Sequence, residues 1–189
     1  MQCIIVKKFN MKKFGLKVAL GLSLAPVMFS SCEKEGAELY EGFYSYKLSG
    51  SVTVDKVLIE TVDIPDSEPS EPAEPVEATL PLISESGQMN VLKKGADSLI
   101  ITMNAIGGDV LVIDACVKGN DLEISEFSRI VKVEDGSRTV SLNCTGSGSG
   151  KKYDDVIIMD LSYLGDGSST LYDYTIKSSS VKCVAKVNK

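Results

Sequence analysis

The chain contains no histidine and no tryptophan. Without histidine there is no imidazole to activate a serine or cysteine, to shuttle protons near neutral pH, or to ligate a metal. Without tryptophan there is no indole platform of the kind that sugar and lipid sites often use. What is present is a chain of 189 residues, mildly acidic, with 20 Lys+Arg against 26 Asp+Glu and an apolar share of 43%. That length suits one domain or two small ones.

The charge is unevenly placed. Residues 1–31 hold Lys7, Lys8, Lys12, Lys13 and Lys17 and no acid. Removing these five leaves 15 basic residues against 26 acidic ones, a net charge of −11. Such asymmetry marks a leader separate from the folded part. The negative remainder opposes phosphate, so nucleic acid is not an expected partner. From Val18 to Phe29 the chain reads VALGLSLAPVMF. As helix this spans ~18 Å, short of a bilayer core of ~30 Å. A basic start, a short apolar run and small residues at its end predict a secretory signal peptide over 1–31. Met11-Lys12-Lys13 offers a second start, which makes a leader of conventional length and removes Cys3 from the product.

Phe29-Ser30-Ser31-Cys32 resembles the lipobox of bacterial lipoproteins, with Phe29 where Leu is usual. The resemblance implies a diacylglycerol on the Cys32 sulfur, cleavage before Cys32 and acylation of the new amine. Each buried CH₂ contributes ~0.8 kcal/mol, so two or three acyl chains on Cys32 hold the protein to a membrane. Ordinary leader cleavage, with Cys32 a plain thiol, is the alternative. Glu33-Lys34-Glu35 is similar to the surface-export tag of Bacteroidetes-type lipoproteins. The implied location is the cell envelope, as an outer membrane lipoprotein, periplasmic or outward-facing. Residues 32–39 read as a polar, lipidated tether to a single β domain over 40–189.

From Tyr40 onward, alternation with a period of two dominates, as in strands with one buried face. Tyr44, Tyr46 and Leu48 share a face, and Val52 and Val54 continue it after Gly50, where a bulge is expected. Val140, Leu142 and Cys144 alternate with polar residues. So do Ile157, Met159, Leu161 and Tyr163, and again Val181, Cys183, Ala185 and Val187. Gly107-Gly108, Gly119-Asn120, Asp135-Gly136 and Asp166-Gly167 supply residues that tolerate positive φ in hairpin turns. The predicted fold is all-β, an antiparallel meander of about ten strands. It closes as an up-and-down barrel or packs as a two-sheet β-sandwich.

The segment 64–77, IPDSEPSEPAEPVE, breaks the pattern. Pro69, Pro72 and Pro75 recur every third residue, as do Glu68, Glu71, Glu74 and Glu77. In polyproline II the carboxylates fall on one ridge about 9 Å apart. Prolines exclude the segment from a central strand. It reads as an exposed acidic loop, a docking surface or a solvated spacer.

Tyr40-Glu41-Gly42-Phe43-Tyr44 opens the first strand much as lipocalins and other calycins open, with Gly followed by an aromatic, although Tyr44 replaces the lipocalin Trp. With the lipobox and the successive hairpins, the chain resembles small lipoproteins with a calycin-like β-barrel. That resemblance implies a lumen for a small apolar ligand.

Candidate chemistry is thin. Cys144 and Cys183 lie on apolar faces, and a disulfide, if one forms, joins these two and leaves Cys116 apart. Three buried small hydrophobes is the competing reading. The cysteine spacings match no metal site. Gly146-Ser147-Gly148-Ser149-Gly150-Lys151-Lys152 is no phosphate loop, since Thr145 and Lys152 occupy positions that require glycine and a hydroxyl residue. The glycines read as a flexible connection. Asp154-Asp155, as strand neighbours, point to opposite faces and do not converge as a carboxylate pair. No catalytic, metal or cofactor constellation emerges, and no enzyme is expected. The aromatics are more suggestive. Tyr40, Phe43, Tyr44 and Tyr46 fall in one window, and Tyr163, Tyr172 and Tyr174 in another. If the first and last strands pair, the two windows form one aromatic seam. Tyr44, Tyr46, Tyr163, Tyr172 and Tyr174 are then candidate ligand contacts, or cross-strand packing pairs. Two functions fit: a non-catalytic binding module for a small apolar or glycan-like ligand, or a structural subunit of a surface complex or adhesive fibre.

Overall fold

Among the described residues, alternating apolar positions become nine antiparallel strands. The computed structural model describes residues 36–59 and 74–188. The strands are β1 (Gly42–Leu58), β2 (Val76–Pro81), β3 (Glu85–Lys93), β4 (Ser98–Ala105), β5 (Val110–Lys118), β6 (Asp121–Asp135), β7 (Arg138–Tyr153), β8 (Val156–Ser168) and β9 (Tyr172–Val187). A 3₁₀ turn, Gly36–Leu39, precedes them. The leader, Cys32 and residues 64–73 of the acidic segment lie outside the described residues.

From β3 to β9 each strand pairs with the next, and β1 pairs with β9. The sheet therefore closes on itself as an up-and-down barrel, and the sandwich alternative does not form. One edge of β1 carries two partners in succession. β3 pairs along Gly42–Leu48 and β2 along Ser51–Lys56. β2 and β3 are thus collinear halves of one position in the wall. Gly50 stands at the hand-over with φ +154°, and a Cβ there would lie 2.1 Å from the Ser180 carbonyl oxygen. The slip in the ladder with β9 falls between Thr53 and Val54, not at Gly50 itself.

The barrel interior is one apolar cluster built from the inward rows the alternation marked, including Tyr44, Tyr46, Leu48, Leu142, Cys144, Met159, Tyr163 and Cys183. Burial of such side chains contributes roughly 1.5–3 kcal/mol each and is the main drive to close the sheet. Three of the four expected turns are where glycine placed them. Asp166-Gly167 is not a turn. It lies inside β8, and the chain reverses over 169–171. Asp154-Asp155, by contrast, is the tight turn between β7 and β8, with Asp154 at φ +49°. Asp tolerates that conformation better than most residues.

The glycines at 146, 148 and 150 are strand residues, not a connection. They continue the inward row of β7. A Cβ on Gly146 would sit 2.6 Å from the Phe127 ring and 2.7 Å from the Tyr163 ring. Those rings meet edge to face at 6.1 Å between centroids in the space the missing side chain leaves.

Both ends of β1 are tied down. At its start, the Tyr44 hydroxyl donates to the Tyr40 carbonyl at 2.7 Å and the Tyr40 hydroxyl to the Asn120 carbonyl at 2.6 Å. Lys152 Nζ donates to the Leu39 carbonyl at 2.7 Å, which holds the 3₁₀ turn against the barrel. At the far end, Lys56 Nζ meets Asp135 Oδ2 at 2.6 Å, and the Tyr174 hydroxyl donates to the same oxygen at 2.8 Å. Lys56 also lies 4.4 Å from the Tyr172 ring centroid. The hydrogen bond from Lys56 holds the Asp135 carboxyl below 3.8, against the opposing effect of burial and with help from Tyr174.

A folded-state pKa below the unfolded one adds stability that is complete above the unfolded value and fades as pH falls through the folded value. Asp135→Asn is expected to cost about 1 kcal/mol near neutral pH. Urea unfolding at neutral pH and near pH 3 tests this. The gap between parent and Asp135→Asn should narrow in acid, and an unchanged gap would mean that the clasp adds nothing.

Candidate functional site

The barrel wall parts between β5 and β6, beyond a bulge in β6. β6 begins paired on both edges, with β5 along Asp121–Ile124 and with β7. The register with β7 then slips between Ile124 and Phe127. An extra residue bends a strand and sharpens its twist. Beyond the slip β6 keeps β7 but leaves β5, whose pairing with it covers only Ala115–Lys118. The far lip is the link between β2 and β3. There Leu82 bridges Val133, and the Ile83 amide donates to the Lys132 carbonyl at 2.9 Å.

Between these lips lies a cavity of about 720 Å³, bounded by the 82–86 link, the β4–β5 turn and the middle of β6. Its rim is apolar. Ile83, Ile106, Val110 and Ile130 all line it while remaining exposed. Leu48 and Val131, both core residues, are reached from the same space. The cavity opens on the side of the barrel, beside the cluster of buried side chains that occupies its interior.

A charged pair sits in this split. Arg129 Nη2 donates to Glu85 Oε2 at 2.6 Å, and the Tyr46 hydroxyl donates to Glu85 Oε1 at 2.7 Å. The Arg129 side chain is 15% exposed and that of Glu85 26%. Loss of hydration is the largest influence on the guanidinium and disfavours its charge. Tyr163 and Glu85 outweigh it, so the cation is held more firmly than in water. Breaking a buried pair by removing one partner typically costs about 3–5 kcal/mol. Burial pushes the Tyr163 hydroxyl up to about 12, with Arg129 pulling the other way. Burial, then the Glu85 carboxylate, raises Tyr46 as well. Arg129 Nε, Arg129 Nη1 and the Tyr163 hydroxyl are buried and have no hydrogen-bond partner. Arg129 and Tyr163 nonetheless act on each other, through charge and a side-chain hydrogen-bond contact outside regular geometry.

The tyrosines picked out in the sequence do not form one seam. β1 and β9 pair as a closed meander requires, but their antiparallel register sets Tyr46 opposite Ala185 and Lys56 opposite Tyr174. From residue 46 to 56 is ten residues, about 33 Å of strand. Tyr44 closes one end of the barrel, while Tyr172 and Tyr174 pack at the other. Tyr46 and Tyr163 alone approach the split, from beneath, through Glu85 and Arg129. Phe43 points outward. Tyr44, Tyr46, Tyr163 and Tyr174 are all core residues.

The disulfide between Cys144 and Cys183 does not form, and both are buried free thiols. β8 lies between them, with Cys144 opposite Gly165 and Cys183 opposite Met159. Those contacts are six residues apart on β8, about 20 Å, far beyond the reach of a disulfide. Among the described residues no cluster of His, Cys, Asp or Glu could hold a metal ion.

Arg129 and Glu85 were not anticipated as site residues. A signal for Arg129 exists. It is one of only two arginines in the chain, and it interrupts the inward row between Phe127 and Val131.

No family model and no curated protein matches the chain. Two solved structures are similar in outline. EF1p2_mFAP2b, solved bound to DFHBI, is 11% identical with a TM-score of 0.42, covering 81% of this chain and 97% of that one. A redesigned beta barrel, b11L5F_LGL, is 10% identical with a TM-score of 0.37, covering 82% and 96%. At that distance neither bears on the site.

Burial pushes the Cys144 thiol up to about 11 and the Cys183 thiol up to about 12. Thiolate is the reactive form. Iodoacetamide near pH 8 should therefore leave both unmodified in the folded protein and modify both, without prior reduction, in denaturant. Peptide mapping reads the result. A need for reductant would restore the disulfide.

Proposed function

We propose that this is a lipid-anchored cell-envelope protein of the outer membrane whose barrel is a non-catalytic binding module. Its ligand is a small, largely apolar molecule held in the lateral split. The observation that carries this reading is the cavity of about 720 Å³ rimmed by four exposed large hydrophobic side chains. Specific small-molecule sites are concave, mostly apolar and supplied with a few convergent polar groups. Arg129 and Glu85 are those groups here. They are tied to each other rather than to a nucleophile, which suits retention rather than reaction. The anchor is supported by the leader and by Cys32 directly after Ser30-Ser31.

The assembly reading keeps one observation in its favour. The stretches of β5 and β6 that leave each other present strand edges beside exposed Val110 and Ile130. Such edges accept an added strand.

Native mass spectrometry of protein purified from its own cells separates these cases. The expected result is a chain that begins at Cys32, carries acyl chains, and retains a small molecule that Ile130→Asp loses. A chain without fatty acid, starting elsewhere, removes the anchor. A protein bound at the split, with no small ligand, favours assembly.

A further inference from the structure

We infer that the split takes a neutral amphiphile: one alkyl or acyl chain against the apolar rim, and an uncharged oxygen head that accepts a hydrogen bond from Arg129. This rests on reading the split as the ligand site and adds the chemistry of the ligand.

The rim sets the body of the ligand. Ile83, Ile106, Val110 and Ile130 come from three separate segments, yet all face one opening. Exposed apolar residues gathered in this way mark a site that something apolar covers. Arg129 sets the head. Its Nε and Nη1 are fully buried and its guanidinium also acts on the core Tyr163 hydroxyl, so the nitrogen left for a ligand is Nη2, which spends one of its two hydrogens on Glu85. Arg129 lines the cavity, and an oxygen lodged there can accept the second Nη2 hydrogen.

The charge count decides between a neutral head and an anion. Arg129 and Glu85 cancel at 2.6 Å. Lys132 and Asp109, which also line the cavity, cancel in sign. A carboxylate or phosphate entering here would find no uncompensated positive charge and would lie beside the Glu85 carboxylate. Like charges so placed repel strongly. An ester carbonyl, amide or hydroxyl meets the same donor without that repulsion.

The test uses the full chain carrying Cys32→Ser, which has no acyl anchor and needs no detergent. Calorimetric titration near pH 8 compares monodecanoylglycerol with decanoate, both below their micellar concentrations. The ester should bind at least about tenfold more tightly. Glu85→Gln keeps an acceptor for Tyr46 and Arg129 but uncovers the guanidinium charge, so the preference should reverse toward decanoate. A measurement on the unaltered site stands beside it: near pH 4, where much of the decanoate is protonated, the preference for the ester should shrink. Equal binding of ester and acid at pH 8 overturns the neutral head and leaves the split as a ligand site. A preference unmoved by both Glu85→Gln and acid overturns the role of the Arg129–Glu85 pair. Binding of neither probe, or binding that Ile130→Asp does not weaken, overturns the neutral amphiphile and the split as its site together.

Discussion

The ladder between β1 and β9 is the contact on which the rest of the molecule depends. It runs from Tyr44 to Leu58 on β1 and joins the first strand to the last. Without it the meander would be an open sheet with two long edges, which chains avoid. With it, each inward row faces a shared interior, and the apolar side chains of all nine strands are buried together. The ties at the two ends of β1, Tyr44 with Tyr40 and Lys56 with Asp135, hold that ladder at its extremities. Closure also explains the split. A ring this tightly twisted must bend its strands somewhere, and the bulge after Ile124 places the bend where β6 turns away from β5. The opening is a consequence of how the wall closes, with the 82–86 link and the β4–β5 turn standing at its lips.

Much of this was legible in the amino-acid order. Period-two alternation identified the inward rows of β1, β7, β8 and β9 correctly, because a residue's face depends only on local parity. Turn positions at Gly107-Gly108, Gly119-Asn120 and Asp135-Gly136 were legible for the same local reason. Asp166-Gly167 misled because glycine serves two purposes. Gly165, next to it, has φ +154° and would place a Cβ 2.0 Å from the Asn143 carbonyl oxygen, so these residues permit close packing of two strands rather than a reversal. The Gly146 to Gly150 run misled in the same way, with Gly146 making room for Phe127 and Tyr163, and Gly148 and Gly150 for the close approach of β8.

The site was not legible, and the reason is register. Which residues meet across a barrel depends on ladder slips at Thr53/Val54 and Ile124/Phe127, and these leave no mark in composition. The aromatic seam failed on this point: the right strands paired, but antiparallel to one another, so Tyr44 fell at one end and Tyr172 and Tyr174 at the other. The Cys144–Cys183 bridge failed because β8 intervenes. Glu85 and Arg129 are 44 residues apart and meet only because Glu85 opens β3 opposite Leu48, just where the preceding 82–84 link approaches β6. The result is a barrel whose tyrosines hold the fold together, while the charged groups in the split are an arginine and a glutamate that the alternation did not single out.

The central claim is that the wall between β5 and β6 is open above Ala115. Amide hydrogen exchange followed by NMR tests it directly. The account predicts that amides of residues 110–114 and 126–131 that face the split exchange orders of magnitude faster than ladder amides of β1 and β9. Uniform protection across β5 and β6, equal to that of the closing ladder, would mean an unbroken wall and would contradict the account.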